Sequence, residues 1–107
     1  MKTGPDAPLD LERDESATVM QSQDRVTNGF KWNPPEKDGG SAVIDYKVEF
    51  LQGNAWVVAA VNIVETNYAV VGLKPGYNYK FRVKARNQHG FGAPSNVFNL
   101  VAGSKPS

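Results

Sequence analysis

Few residues of this 107-residue chain could do chemistry. His89 is the sole histidine and there is no cysteine, which excludes disulfides and thiolate metal sites. A nucleophilic set can be assembled from Ser95, His89 and Asp38, in which serine attacks, histidine takes its proton and aspartate orients the ring. No nucleophile-elbow pattern surrounds Ser95, and His89 falls in the Gly-rich stretch "NQHGFGAPS", so it reads as a solvated loop residue. Asp10, Glu12, Asp14 and Glu15 cluster near the start, without the Gly-containing Asp-x-Asp-x loop that calcium requires. A solvated strand edge explains them better. "DGGS" and "GFG" lack both the strand-to-helix setting and the Lys-Ser/Thr pair of a phosphate cradle, which leaves them as turns. Lys47, Lys80, Arg82, Lys84 and Arg86 would form a basic stripe interrupted by Asp45 and Glu49, read as a solvated sheet face or as a surface for an acidic partner. A net charge of +1 makes no general case for nucleic acid or acidic lipid. The expectation is a chain with no catalytic residue, no cofactor and no metal.

The elements that would hold these side chains are strands. Apolar residues alternate with polar ones: Ile44, Tyr46, Val48 and Phe50 on one face of "VIDYKVEF", with Asp45, Lys47 and Glu49 on the other. "YKFRVKA" puts Tyr79, Phe81, Val83 and Ala85 inside and Lys80, Arg82 and Lys84 outside. Such alternation marks antiparallel sheets with one wet face. "NPPEKDGGS", "QGN", "KPG" and "NQHGFGAPS" break the runs. The pattern predicts an all-β, seven-stranded, antiparallel two-sheet β-sandwich. Its strands lie near 8–13, 25–33, 42–51, 55–61, 67–72, 77–87 and 95–102, with a short segment at 62–65 that merges with a neighbour. Leu9 and Leu11 could dip into the core, and Gly29 suggests a bulge or close packing. The length suits one domain, placed at residues 6–102, with 1–5 and 103–107 as linker or added residues. None of the nine asparagines stands in sequon spacing, and no apolar run approaches a membrane-spanning length.

Two longer patterns carry a resemblance. "FKWNPPEKDGGSAVIDYKVEF" combines a buried-type Trp, a Pro-Pro loop, a Gly-rich turn and a Tyr-x-Val strand. "GLKPGYNYKFRVKARNQHGFGAPS" combines Leu-x-Pro-Gly-x-x-Tyr with Val-x-Ala-x-Asn-x-x-Gly-x-Gly-x-Pro-Ser. Together they resemble the fibronectin type III domain, an immunoglobulin-like fold, and are similar in sub-pattern to such domains of titin- and twitchin-like giant proteins and of adhesion receptors. The resemblance implies a corner role for Tyr79, whose hydroxyl would bond back over the turn set by Pro75 and Gly76, with Leu73 as the core anchor beside it. It implies that Trp32 is the central core residue near Tyr46 and Tyr79, and not a ligand-stacking ring. Trp56 would sit on an edge strand.

What the resemblance implies for function is a non-catalytic module of a larger multidomain protein, mediating protein–protein interaction, adhesion or structural spacing. An alternative is an accessory domain of a secreted, carbohydrate-active or other, enzyme whose catalytic part lies outside this chain. Partners are expected to be proteins and neighbouring domains of the parent chain, without nucleic acid or direct membrane contact. Candidate partner-binding residues are Lys37 and Asp38 in the Asn33–Ser41 loop and His89 and Phe91 in the Gln88–Pro94 loop. Phe91 would be either a partner anchor or a lid over the end of the sandwich. Some relatives carry Arg-Gly-Asp in that loop; this chain has none. Extracellular, cell-surface and intracellular sarcomere-like settings are all compatible with the sequence. The isolated domain is expected to be a monomer, although an exposed edge in "WVVAAVNIV" would favour association.

Overall fold

The computed structural model describes residues 4–22 and 25–103, with the backbone alone over 15–22. Among these residues there is no helix. The strands are β1 (Leu9–Ser22), β2 (Arg25–Asn33), β3 (Asp45–Gln52), β4 (Ala55–Ile63), β5 (Asn67–Leu73), β6 (Asn78–Asn87), β7 (Gly90–Phe91) and β8 (Phe98–Val101). They form two antiparallel sheets, a three-stranded one in the order β1-β2-β5 and a five-stranded one in the order β4-β3-β6-β7, with β8 also paired to β6. The alternation read from the sequence buries one face of each sheet against the other. Val26, Phe30 and Trp32 of β2 meet Tyr46 and Val48 of β3, Phe81, Val83 and Ala85 of β6, and Leu100 of β8. Phe30 is fully buried and its ring lies 5.1 Å from Phe81, 5.5 Å from Phe98 and 5.7 Å from Trp32.

The strand count differs from seven because a two-residue strand, β7, forms inside the stretch expected to be the Gln88–Pro94 loop. Pro94 has no N–H to offer a ladder, and β7 and β8 border the same edge of β6 on either side of it. The gap between them still bonds, Gly92 N to Ala85 O at 2.9 Å and Ser95 N to Val83 O at 2.8 Å. The first strand runs on to Ser22 instead of ending near 13, with register shifts between Leu9 and Glu12 and between Asp14 and Val19. Asp10 adopts φ 56° there, which disturbs the alternation, so Leu11 packs against the core while Leu9 stays 41% exposed. The segment at 62–65 is not a separate strand; β4 runs through Ile63 with Asn62 at φ 59°. Ile44 precedes β3 and is exposed, and Asp45 and Glu49 are buried although they point to the outer face.

β4 and β5 are free edges of the two sheets, and Val58, Val61, Val64 and Val71 are exposed on or beside them. Two register shifts between β3 and β4 twist that edge, a device that discourages edge-to-edge pairing. No helix of the described residues is long and apolar enough to cross a membrane.

The chain is tied down at opposite ends of the sandwich. Pro5 is buried where its backbone crosses Gly92: a Cβ on Gly92 would clash with the Pro5 carbonyl oxygen. Asp6 N donates to Lys37 O at 2.9 Å. At the other end Asn28, fully buried, clasps Gly103, accepting from its N at 2.8 Å and donating to its O at 3.1 Å. Gly92→Ala is therefore expected to push Gly4–Pro8 off the loop and to cost about 1–3 kcal/mol, as overpacking does. Faster hydrogen exchange at the Asp6 amide, with a lowered melting temperature, is the measurement; an unchanged amide would contradict the contact.

Candidate protein-binding surface

The loops at the Pro5 end are joined by one buried side chain. Asn87 closes β6 in phase with Val83 and Ala85 and is 2% exposed. Its Nδ2 donates to Asp38 O at 2.7 Å and lies 3.5 Å from Ser41 O, while its Oδ1 accepts from His89 N at 2.8 Å. A satisfied buried amide of this kind fixes both loops in one register. Ser41 Oγ accepts from Gln88 Nε2 at 3.0 Å and lies 3.2 Å from His89 Nε2. Asp38 Oδ1 accepts from Gly40 N at 2.9 Å, an Asx turn that needs Gly39 and Gly40 at φ 77° and 95°. Lys37, Asp38 and His89 remain exposed on this end. Sequence reasoning misses Asn87 as a site residue, although it is the Asn of the Val-x-Ala-x-Asn pattern and shares the phase of the buried residues before it.

The side chains that could have formed a nucleophilic set are occupied separately. Ser95 Oγ accepts from Val83 N at 2.9 Å and donates to Asn96 O at 3.0 Å, stitching the stretch between β7 and β8 to β6. His89 faces Ser41, and Asp38 faces its own loop. Of the acidic group, Asp10 accepts from Asn33 Nδ2 at 2.9 Å and Glu12 lies 3.6 Å from Lys31 Nζ; the side chain of Glu15 is outside the described residues. No group of three metal-ligating residues occurs among the described residues.

Phe91 is neither at a loop tip nor over the end of the sandwich. Gly90–Phe91 pairs with Arg86–Asn87, so the ring lies on the outer face of the larger sheet. It stands 4.2 Å from Lys47 Nζ and 5.7 Å from the Arg86 guanidinium and stays 41% exposed. On the same face Arg82 stacks over Trp56 at 4.4 Å. Glu49 accepts from Arg82 Nε at 2.7 Å, with Lys84 Nζ at 3.5 Å and Lys47 Nζ at 3.7 Å. Burial alone would raise the Glu49 carboxyl, but the Arg82 hydrogen bond and the charges of Lys84, Arg82 and Lys47 outweigh it and hold the group below its ordinary value. Asp45 holds Arg86 bidentately at 2.9 and 2.6 Å, which raises the guanidinium further.

The remaining named residues build the frame. Trp32 is 3% exposed and meets Tyr46 edge-on at 5.4 Å; its Nε1 finds no hydrogen-bond partner among the described residues. Burial raises the Tyr46 phenol. At the far end Tyr79, half-buried against the core, accepts from Lys74 N at 3.0 Å through its hydroxyl. Gly76 takes φ 86° in the turn, Pro75 precedes it, and Leu73 is buried. Tyr79→Phe keeps the ring and loses only this bond, so it is expected to cost about 1 kcal/mol, read as a lower denaturation midpoint at unchanged m-value; no change would remove the bond from the stability of the corner.

A two-sheet antiparallel sandwich, a tyrosine bonded back over a Pro-Gly turn and two loops clasped at the opposite end together define an immunoglobulin-like module. The profile of the fibronectin type III domain matches residues 14–101, and the chain belongs to that family. It is 33% identical over 79 residues to protein sax-3 of Caenorhabditis elegans, covering 71% of this chain and 6% of that protein. It is 38% identical over 85 residues to the titin homolog of the same organism, covering 78% of this chain and a share of that protein that rounds to 0%. Among solved structures, one described as titin kinase and its flanking domains superposes with a TM-score of 0.73 at 30% identity, over 94% of this chain and 17% of that one. The chain thus spans less than a tenth of each of these two curated relatives.

Proposed function

We propose that the chain is a non-catalytic, in-line module of a multidomain protein that spaces its neighbours and contacts protein partners through its clasped loop end. The observation that carries this is the placement of the two tie points: residue 5 crosses Gly92 beyond the end of β6, and residue 103 lies beside the turn that precedes β6. The chain therefore crosses the length of a ten-residue strand, about 33 Å, between neighbours. Relatives in which such a domain is a small part of a long protein support the reading. Asp38 and His89, held by Asn87, and Lys37, whose carbonyl accepts from Asp6 N, give the loop end a fixed polar surface. A photo-activatable phenylalanine placed at position 38 or 89 within the parent protein is expected to give intermolecular protein adducts that the same probe at position 77 does not. Equal yields from both ends, or turnover of a substrate by the purified chain, would overturn the reading.

A further inference from the structure

The outer face of the five-stranded sheet carries charge that its own fold does not neutralise. Lys47 of β3 and Arg82, Lys84 and Arg86 of β6 stand over two carboxylates, Asp45 and Glu49, so two positive charges remain on the patch. The layering strengthens the effect: the carboxylate side chains are 6–8% exposed and the cations 18–38%. A partner approaching this face meets the cations first. Lys47 and Lys84 are directly opposed across β3 and β6, an arrangement that costs stability for like charges. Glu49, the carboxylate near both among the described residues, is already bonded to Arg82.

The spacing selects the partner. Arg82, Lys84 and Arg86 are alternate residues of a single strand, so their heads recur about every 7 Å. An extended peptide lying along β6 has the same repeat, so carboxylates at every second position come within reach of the row of cations, whose surplus of two charges they would neutralise. Phe91, beside Lys47 and Arg86, offers an exposed apolar ring at the end of the row. A single nucleic-acid strand fits less well, because it binds by stacking bases on free aromatic faces, and a cation already lies over each ring of this face, Arg82 over Trp56 and Lys47 over Phe91. We propose that this face is the docking surface for an extended acidic protein segment with carboxylates at alternate positions. The proposal rests on the reading of the chain as a protein-contacting module and adds the surface and the chemistry of its partner.

The test is an amide-resolved titration of the whole chain at low salt with a synthetic peptide of alternating glutamate and threonine. Saturable shifts confined to Lys47, Arg82, Lys84, Arg86 and Phe91 are expected, together with an affinity about tenfold lower in the Lys47→Gln/Lys84→Gln double variant. That variant keeps the Arg82–Glu49 bond, and its melting curve checks the fold; if it unfolds, Lys84→Gln alone serves. Undiminished affinity in the folded variant, absence of saturable shifts, or shifts given only by a sulfated oligosaccharide or single-stranded DNA would each overturn the proposal. Any of these would leave the adducts expected from positions 38 and 89 untouched, which separates its failure from failure of the module reading.

Discussion

Phe30→Ala is expected to destabilise the domain by about 3–5 kcal/mol, the range for emptying a buried aromatic site. The ring is completely buried at the centre of an aromatic cluster, within 6.5 Å of Trp32, Tyr68, Phe81 and Phe98. Tyr68 lies on the same sheet, whereas Phe81 and Phe98 come from the other, so the side chain bridges the two layers. Four rings fixed by strand backbones cannot collapse into the space left by one, which places the cost in the upper part of that range. Domains of this size have about 5–15 kcal/mol in total, so the variant should unfold at a greatly reduced denaturant midpoint. A loss below about 1 kcal/mol would show that the cluster repacks.

Glu49→Gln is the second large effect, about 2 kcal/mol at neutral pH, because a charge-assisted hydrogen bond is lost and three cations are left to repel one another. The sign of the pH dependence follows from the lowered Glu49 pKa. A carboxyl whose folded value lies below its unfolded one stabilises the protein above the unfolded value and loses that stability as pH falls through the folded value. The wild-type advantage over the glutamine variant should therefore be full at neutral pH and shrink once pH drops below about 4. Paired denaturation curves across that interval check it; a gap independent of pH would mean that shape, and not charge, holds the site. Raised salt should narrow the gap less than it would for an exposed pair, since the carboxylate is buried beneath its partners.

The frame was legible in the chain because it rests on local rules. Alternation in "YKFRVKA" and "VIDYKVEF" sets which side chains face inward, the Pro-Gly turn sets the corner near Tyr79, and the Pro-Pro and Gly-Gly breakers separate the strands. The first strand was legible only in part, since its polar residues carry little periodic signal and its pairing is irregular. The site was less legible still. The sequence puts Phe91 in a Gly-rich loop, but a two-residue pairing with β6 turns its ring onto the sheet face.

The sequence by itself determined the fold class, the family and the absence of thiol chemistry, because each depends on residue type and near-neighbour spacing. Tertiary structure alone decided that Asn87 joins the loop that follows it to one 46 to 49 residues away, that Gly92 must stay small to let Pro5 pass, and that Glu49 lies beneath three cations. Those facts depend on which strands become neighbours and in what register, and a one-residue slip in pairing would send every one of these side chains to the other face.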